Sequence, residues 1–317
     1  MKTRFLIIAA ALLAAVSCSK QQPDGSRSCT IRVGYEQETL PYTKTYVKDS
    51  NAGTIWWGTA AQDKVIYAFD SSDSKFSFTT TSSIAETTRA FTCDNWSGGD
   101  WKMVVWTGLT ESNDNSSLSG SVISGSSLKV MNPQKVNNSK SFDSRANIAV
   151  MKPGDTALRN VFGYLRFTLP SYPIDGETRI SAVKSVTLSA DEYVAGNISI
   201  DYSGDEPVAA VVSNGSTSLT LNARWKSSGP TGYEAGVVYL VLPPGTYHNA
   251  YLTIVPFTET PTVQEAATGA EFTVNFVGEV VVQRGKYTEC GTLPASDSQA
   301  DEAFTAVGDT YQWEDAQ

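Results

Sequence analysis

Ala157-Leu-Arg-Asn-Val-Phe-Gly-Tyr-Leu-Arg-Phe-Thr-Leu169 is the stretch that decides the fold class of this chain. Its apolar residues alternate with period 2, the pattern of a β-strand that is buried on one face and half covered on the other. Pro170 predicts the end of the strand, because proline cannot donate a hydrogen bond to a sheet. We predict that this strand opens a second domain. One face carries Val161, Leu165, Phe167 and Leu169, and the other carries Phe162, Tyr164, Arg166 and Thr168.

The sequence after this strand repeats the pattern in short apolar runs separated by turn residues. No helical period lies between the runs, and they recur at a spacing of roughly 8 to 20 residues, which predicts an all-β sandwich or barrel. The runs lie at 183–188, 198–202, 219–221, 237–242, 251–255, 272–276 and 280–282.

A first domain precedes this region, since a chain of 317 residues has room for about two domains. Its opening strand at 30–35 places Ile31, Val33 and Tyr35 inward and Arg32 outward. The segment 111–127 is rich in Ser, Asn and Gly, which predicts a mobile surface loop. We predict a signal peptide at 1–17, a tether at 18–28, an N-terminal β-sandwich at 29–153, a C-terminal β-sandwich at 154–293 and a tail at 294–317.

The composition excludes several classes of function. A formal net charge of −9 disfavours nucleic acid and anionic membrane surfaces as partners, because both would repel the chain. His248 is the only histidine, and it lies in a predicted turn, where a solvated surface residue is expected rather than a catalytic base. No phosphate-binding loop, paired-glycine fingerprint or nucleophile elbow is present. We therefore predict a protein that is not an enzyme and that binds neither a metal nor a cofactor.

The N-terminus has the features of a targeting segment. Lys2 and Arg4 precede an apolar core at 5–16 that is too short for a comfortable transmembrane helix. Ala15-Val16-Ser17-Cys18 resembles a bacterial lipobox, which predicts lipidation at Cys18 and a lipid anchor in the outer membrane, because no Asp directly follows that cysteine. The alternative is an ordinary secretory signal cut near Ala14 or Ala15.

Three cysteines remain once Cys18 carries lipid. Cys29, Cys93 and Cys290 are an odd number, so at most one internal disulfide can form, and the spacing does not decide which pair would form it. None belongs to a Cys-x-x-Cys pair, which disfavours a metal or redox site.

The order of several weak motifs resembles the fimbrillins, the lipoprotein subunits of pili and related surface fibres in Bacteroidetes. Thr43-Lys-Thr45 stands where the family often has a Thr-basic-Thr, and Trp57 followed by Gln62-Asp-Lys-Val-Ile-Tyr67 resembles the family's Trp, Asp-Lys and strand. The second half is similar in Tyr239-Leu-Val-Leu-Pro-Pro-Gly-Thr-Tyr247 and in the closing Arg284-Gly-Lys-Tyr-Thr-Glu-Cys-Gly-Thr-Leu293. The resemblance covers most of residues 18–293.

The resemblance implies two transthyretin-like β-sandwiches in tandem and assembly by exchange of strands between subunits. A surface protease would cut after a basic residue in the loop behind the first strand, so the candidate processing sites are Lys44 and, second, Lys48. The released strand would be replaced by a strand of another subunit. The implied partners are other fimbrial subunits, the outer membrane and a host or bacterial surface receptor.

The C-terminal tail is a candidate donor strand. It carries six acidic residues and no basic one, which is typical of a solvated end. Val307, Tyr311 and Trp313 nevertheless share one period-2 face that only Asp309 interrupts. We predict that this segment is mobile in the monomer and adds as a strand to a neighbouring subunit.

Tryptophans of the first domain support an alternative function. An exposed tryptophan on a β-sandwich can stack on a sugar ring, and Trp96, between Asn95 and Ser97 in a predicted turn, is the candidate glycan contact. The chain would then be an outer-membrane glycan-binding lipoprotein that does not polymerise.

Overall fold

The computed structural model describes residues 16–21, 27–35, 46–47, 55–58, 61–84, 86–96, 100–108, 117–135, 142–171, 180–226, 232–261, 263–299 and 310–311. Strands dominate these residues. Helix is limited within them to two short 3₁₀ turns, Ala61–Lys64 and Ser144–Ala146, and a helical turn at 297–299. The predicted all-β class is therefore confirmed.

The strands up to residue 160 are, in chain order, β1 (Val16–Gln21), β2 (Arg27–Tyr35), β3 (Tyr46–Val47), β4 (Ile55–Trp56), β5 (Val65–Asp70), β6 (Lys75–Thr79), β7 (Thr88–Trp96), β8 (Trp101–Thr107), β9 (Ser117–Ser119), β10 (Val122–Val130), β11 (Gln134–Lys135), β12 (Ile148–Met151) and β13 (Ala157–Asn160).

The strands that follow are β14 (Gly163–Leu169), β15 (Val183–Ser189), β16 (Ala195–Asp201), β17 (Val208–Ser216), β18 (Ser218–Asn222), β19 (Trp225–Lys226), β20 (Gly232–Tyr233), β21 (Gly236–Leu242), β22 (Gly245–Tyr247), β23 (Tyr251–Pro256), β24 (Phe272–Asn275), β25 (Val280–Val282), β26 (Tyr287–Thr292) and β27 (Thr310–Tyr311).

The first half of the chain forms a sheet that closes on itself. The strand order is β2-β13-β12-β8-β5-β6-β7, and β7 returns to pair with β2. The narrowest link of this ring is a single pair, Thr79 with Thr92. Its interior is filled by large aromatic side chains, because a ring of short strands encloses a space that only side chains can fill. These include Trp57, Phe78, Phe91, Trp96 and Trp106, each at most 2% exposed.

The second half consists mainly of several sheets that share one hydrophobic core. A five-stranded sheet has the order β11-β18-β15-β23-β24, and a four-stranded sheet has the order β21-β14-β26-β27. Strand β14 is central in the latter, antiparallel to β21 and parallel to β26. Leu165, Phe167 and Leu169 are buried and Arg166 and Thr168 are half buried, as predicted, but Tyr164 on the second face is fully buried rather than half covered.

The stretch 157–169 is not one strand, contrary to the prediction. Ala157–Asn160 pairs with β12 and β2 in the ring, whereas Gly163–Leu169 belongs to the second half. The break has a local cause, because the Asn160 side chain accepts a hydrogen bond from the backbone N–H of Phe162 at 3.4 Å and donates one to the Tyr164 hydroxyl. The backbone therefore turns from one sheet into the other at residues 161–162.

Two strands of the ring are buried on both faces. On β8, Val104 and Trp106 point into the ring, whereas Met103 and Val105 belong to the core of the second half. Strand β12, Ile148–Met151, is divided between the two cores in the same alternating way. Such strands have continuous apolar sequences because neither face meets water. The two halves therefore share a continuous apolar contact.

The segment 111–127 was expected to be a loop, but its C-terminal part forms strands. β9 and β10 pair with each other, and β10 pairs with β16 of the second half. The physical reason is burial, since Leu118, Ile123 and Leu128 pack in the second core. β11 also pairs in parallel with β18. Hydrogen bonds from residues 117–135 thus cross the predicted division at 153.

Candidate functional site: the first strand and its groove

Strand β2 closes the ring of the first half. Its buried and exposed side chains alternate, as expected of a strand that another strand could replace. Cys29, Ile31 and Val33 are at most 1% exposed, while Arg32 between them is exposed. The predicted inward and outward faces are therefore confirmed at residues 31–33. The side chain of Tyr35, also predicted to point inward, lies outside the described residues.

The groove around β2 is lined by aromatic rings. Phe91 lies directly opposite Ile31 in the β2–β7 register. Trp57 packs edge-on against Phe91 with ring centroids 5.0 Å apart and against Trp106 at 6.1 Å. Its indole Nε1 donates a hydrogen bond to the Val33 carbonyl at 3.2 Å, which fixes the ring against the strand backbone. The inner face of β2 thus meets an apolar wall.

A buried arginine supports this wall. Arg89 is opposite Val33 on β7, and its side chain is fully buried. The guanidinium donates to the carbonyls of Gly58 and Asp63, at 2.9 and 2.8 Å, to the Ile84 carbonyl, and to the Glu86 carboxylate at 2.8 Å. A buried cation is tolerated only when its donors are satisfied in this way. Arg89 therefore connects the segments before β5 and before β7 to the groove.

The outer edge of β2 is shared by two strands. β13 pairs with it in parallel at Gly34 and Tyr35, and β1 pairs with it antiparallel at residues 27–31, nearer its N-terminal end. The candidate lipidation residue Cys18 lies in β1, opposite Cys29. The predicted cleavage before Cys18 falls within β1, so a processed chain lacks the Val16 and Ser17 partners of β2.

Cys29 and Cys93 are cross-strand partners on β2 and β7, and both side chains are buried. Burial raises the pKa of the Cys93 thiol, whose Sγ lies 2.9 Å from Asn95 Oδ1. Cys290 is buried separately on β26, and burial raises its pKa as well. The strand register therefore places Cys29 opposite Cys93, which the spacing alone left open.

The single histidine lies on the surface between two carboxylates. His248 Nδ1 is 2.5 Å from Glu192 Oε1, and Nε2 is 3.2 Å from Glu279 Oε1. The hydrogen bond and the charge of Glu192 raise the pKa of His248, with a smaller contribution from Glu279. Both ring nitrogens are engaged with carboxylates, so the side chain acts as an ion-pair link between three turns.

The prediction that Trp96 contacts a glycan is wrong, because its side chain is buried. Trp96 is 2% exposed and packs edge-on against Phe76 and Phe78, with ring centroids 4.7 and 5.5 Å away. Trp96 is the last residue of β7, and its side chain points into the ring. The polar neighbours Asn95 and Ser97 had instead suggested an exposed turn. Its faces are not available to a sugar ring.

The remaining predicted site residues are only partly described. Lys44 and Lys48 lie outside the described residues, and so do Val307 and Trp313. Tyr311 lies in β27, opposite Tyr287 of β26. Two residues of the candidate donor segment, Thr310 and Tyr311, are thus paired with β26 of their own chain, and the rest of that segment lies outside the described residues.

Two other kinds of site are absent from the described residues. No group of three or more His, Cys, Asp or Glu side chains there is placed to hold a metal ion. No helix in that part of the chain is long and apolar enough to cross a membrane.

No protein-family model matches the chain, and no curated protein matches its sequence. Among solved structures, it is similar to a candidate cell adhesion protein from Bacteroides uniformis, with a TM-score of 0.41 and 11% identity over 90% of this chain and 99% of that chain. A second candidate cell adhesion protein, from Bacteroides eggerthii, gives 0.36 and 12% over 90% and 95%. A leucine-rich repeat protein from Bacteroides thetaiotaomicron gives 0.21 and 11% over 74% and 25%.

Proposed function

We propose that this chain is a structural or accessory subunit of a surface fimbria that mediates cell adhesion and is assembled by donor-strand exchange. In this proposal it is not an enzyme, Cys18 carries the lipid that anchors it in the outer membrane, and its two halves correspond to transthyretin-like β-sandwiches, with residues 157–160 in the first and residues 117–135 in the second. The observation that carries it is strand β2, which fills an aromatic groove with alternate side chains and precedes the segment that contains Lys44 and Lys48.

The energetics of the groove support exchange. Removal of β2 would empty the sites of Ile31 and Val33, each worth about 1.5 to 3 kcal/mol of burial. It would also leave the edges of β7 and β13 without a partner. An incoming strand restores the main-chain hydrogen bonds, and its alternate side chains refill the pockets. An emptied subunit therefore favours a donor strongly.

The tail supports the role of donor. Thr310 and Tyr311 adopt an extended conformation and pair with β26, so the segment can add to a sheet edge. In the assembled fibre, Val307, Tyr311 and Trp313 would occupy the groove of a neighbouring subunit instead. The partners are then other fimbrial subunits and a surface receptor that the fibre contacts.

Replacement of the two candidate processing residues tests this function. In cells that carry Lys44→Ala with Lys48→Ala, we expect the N-terminus of the recovered protein to stay ahead of β2 and the polymer ladder in unheated detergent gels to disappear. Lys184→Ala, a lysine on β15 of the second half, is the control and should leave both unchanged. An unchanged N-terminus and ladder in the double variant would contradict the proposed processing.

Among the side chains of the first half that the structure describes, no fully exposed tryptophan supports the alternative of a non-polymerising glycan-binding lipoprotein. It rested on exposed tryptophans, and Trp57, Trp96 and Trp106 are buried, while Trp101 is half buried against the first core.

A further inference from the structure

The groove that β2 fills is not apolar along its whole length. Three buried side chains of β2 face β7 in register, and the pairs are Cys29 with Cys93, Ile31 with Phe91 and Val33 with Arg89. Arg89 makes four hydrogen bonds to described residues, and a guanidinium has five N–H groups, so one N–H is left for a further acceptor. Of these three positions, only the one opposite Arg89 offers a cation to a carboxylate.

The tail carries the complementary pattern. In Thr305-Ala-Val-Gly-Asp-Thr-Tyr311, one acidic residue interrupts a row of residues that share a period-2 face. Given the donor-strand exchange proposed above, we propose that the tail of a second copy of this chain enters the groove in the direction of β2 and in one register, with Asp309 opposite Arg89. Asp309 is then the positioning residue of the donor strand.

The neighbouring tail residues fit their sites in this register. It places Thr305 at the position of Cys29, Val307 at that of Ile31, Asp309 at that of Val33, Thr310 at that of Gly34 and Tyr311 at that of Tyr35. Val307 keeps an aliphatic side chain opposite Phe91. A Cβ at Gly34 would lie 3.4 Å from the Thr88 hydroxyl oxygen, which is van der Waals contact, so a threonine is accepted there. The two threonines would form a favourable cross-strand pair.

Other registers fit the groove less well. A shift by two residues keeps the same side chains inward, so it is the relevant competitor. In one direction the shift places Asp309 opposite Phe91, which offers no partner to a carboxylate. In the other direction it places Thr305 there, where the smaller side chain leaves part of the buried site of Ile31 empty. Both competing registers therefore lose the aliphatic contact with Phe91.

The pair of Asp309 with Arg89 selects a register more than it adds affinity. The Glu86 carboxylate already lies 2.8 Å from Arg89 Nε and balances its charge. A buried ion pair often does no more than offset the cost of removing its charges from water. The same carboxylate buried without a partner is costlier still. One polar position within an apolar row fixes the register of coiled coils by this principle.

Cysteine cross-linking in polymers of the full chain, assembled by cells, reads the register. Directly opposite residues of paired strands lie close enough for a disulfide. Thr305→Cys should therefore form a bond with Cys93 of a second copy when diamide oxidises the two thiols. The bond gives covalent dimers in heated, unreduced gels, and mass spectrometry of the peptides identifies it. Ala303→Cys and Val307→Cys are the matched controls, because each would face Cys93 only after a shift by two residues.

Variants of Asp309 test the positioning residue itself. Asp309→Lys sets like charges opposite each other and should lower the yield of polymers in unheated detergent gels roughly tenfold or more. Asp309→Val should leave the polymers intact and allow bonds from more than one of the three cysteine positions, because no charge then selects a register. Asp301→Lys makes the same change of charge outside the proposed strand and should alter neither yield nor register. Circular dichroism shows that each variant is folded.

The outcomes separate the register from exchange itself. Polymers that form the bond only in the Ala303→Cys or Val307→Cys variant, or in none of the three variants, overturn the register. A bond that stays within one chain overturns the second copy as the source of the strand. A single register that persists in Asp309→Val overturns the role of Asp309. A wild-type chain that forms no polymers overturns the proposed function as well.

Discussion

The guanidinium group of Arg89 is fully buried beside the groove of β2 and satisfies carbonyls from segments on both sides of β5 and β6. Arg89→Ala would leave those carbonyls and Glu86 without their donor. We expect a loss of about 3 to 5 kcal/mol in the free energy of unfolding, measured by urea denaturation. Arg32→Ala removes an exposed arginine from the adjacent strand and should change it by no more than about 0.5 kcal/mol. Equal effects of the two substitutions would show that Arg89 does not support the groove.

His248 gives the molecule one titration that can be followed alone, because it is the only histidine. Its pKa is raised above the ordinary value of 6.5 by Glu192 first and Glu279 second, and the pKa of Glu192 is lowered in turn. In NMR titrations we expect Glu192→Gln to lower the pKa of His248 clearly and Glu279→Gln to lower it less. A larger effect of Glu279→Gln would contradict the geometry.

The same pair sets a direction for stability against pH. A raised pKa of His248 means that its contribution is complete below 6.5 and is lost as the pH rises through the folded-state value. A lowered pKa of Glu192 means that its contribution is present above 4.5 and is lost as the pH falls through the folded-state value. The Glu192–His248 ion pair therefore contributes most to stability between the pH at which Glu192 becomes protonated and the pH at which His248 loses its proton.

A disulfide bond between Cys29 and Cys93 would decide whether β2 can leave the ring of the first half. They are opposite each other across β2 and β7, and a disulfide there would hold the strand even after the chain is cut. We expect both thiols to be free in an assembling subunit. Mass spectrometry of unreduced peptides from native protein measures this directly, and a Cys29–Cys93 peptide would favour an anchoring or stand-alone role.

Strand β14 begins at Gly163, where its backbone lies very close to the segment of Val282 and Gln283. A Cβ on Gly163 would lie 2.3 Å from the Gln283 carbonyl oxygen and 2.5 Å from a methyl of Val282. Backbone cannot yield easily, so Gly163→Ala should lower the unfolding free energy by about 1 to 3 kcal/mol. Gly204→Ala meets nothing within 4 Å and serves as the control. Similar thermal and urea midpoints for the two variants would exclude this contact as a determinant of β14.

At the scale of the whole molecule, the tail connects folding to assembly. β27 pairs with the edge of β26, whereas Leu293 is buried and its N–H donates to the Thr168 carbonyl. Truncation after Leu293 should therefore leave both halves folded, as judged by circular dichroism, and should abolish polymers. Removal of residues 316–317 alone is the control and should change neither property. Polymers that persist in the longer truncation would place the donor strand elsewhere.

Sequence patterns predicted the features that depend on neighbouring residues. The alternation in 30–35 and 163–169 specified which side chains of β2 and β14 face inward, because a strand has a side-chain period of two wherever it lies. The same rule failed where a strand has few apolar residues. Strand β9 and residues 122–127 of β10 lie in the Ser-rich segment that was predicted to be a loop, and only their packing against the core of the second half makes Leu118 and Ile123 core residues.

The sequence by itself determined the all-β class, the inward faces of the main strands and the absence of the common catalytic motifs. Only the tertiary structure decided that the first sheet closes on itself, that Ala157–Asn160 belongs to it, that Trp96 is buried and that Cys29 meets Cys93. The physical reason is the range of the interactions. The alternation of buried and exposed side chains is set by adjacent residues. The choice of strand partners depends on contacts between segments far apart in the chain, and a local sequence pattern contains no information about those contacts.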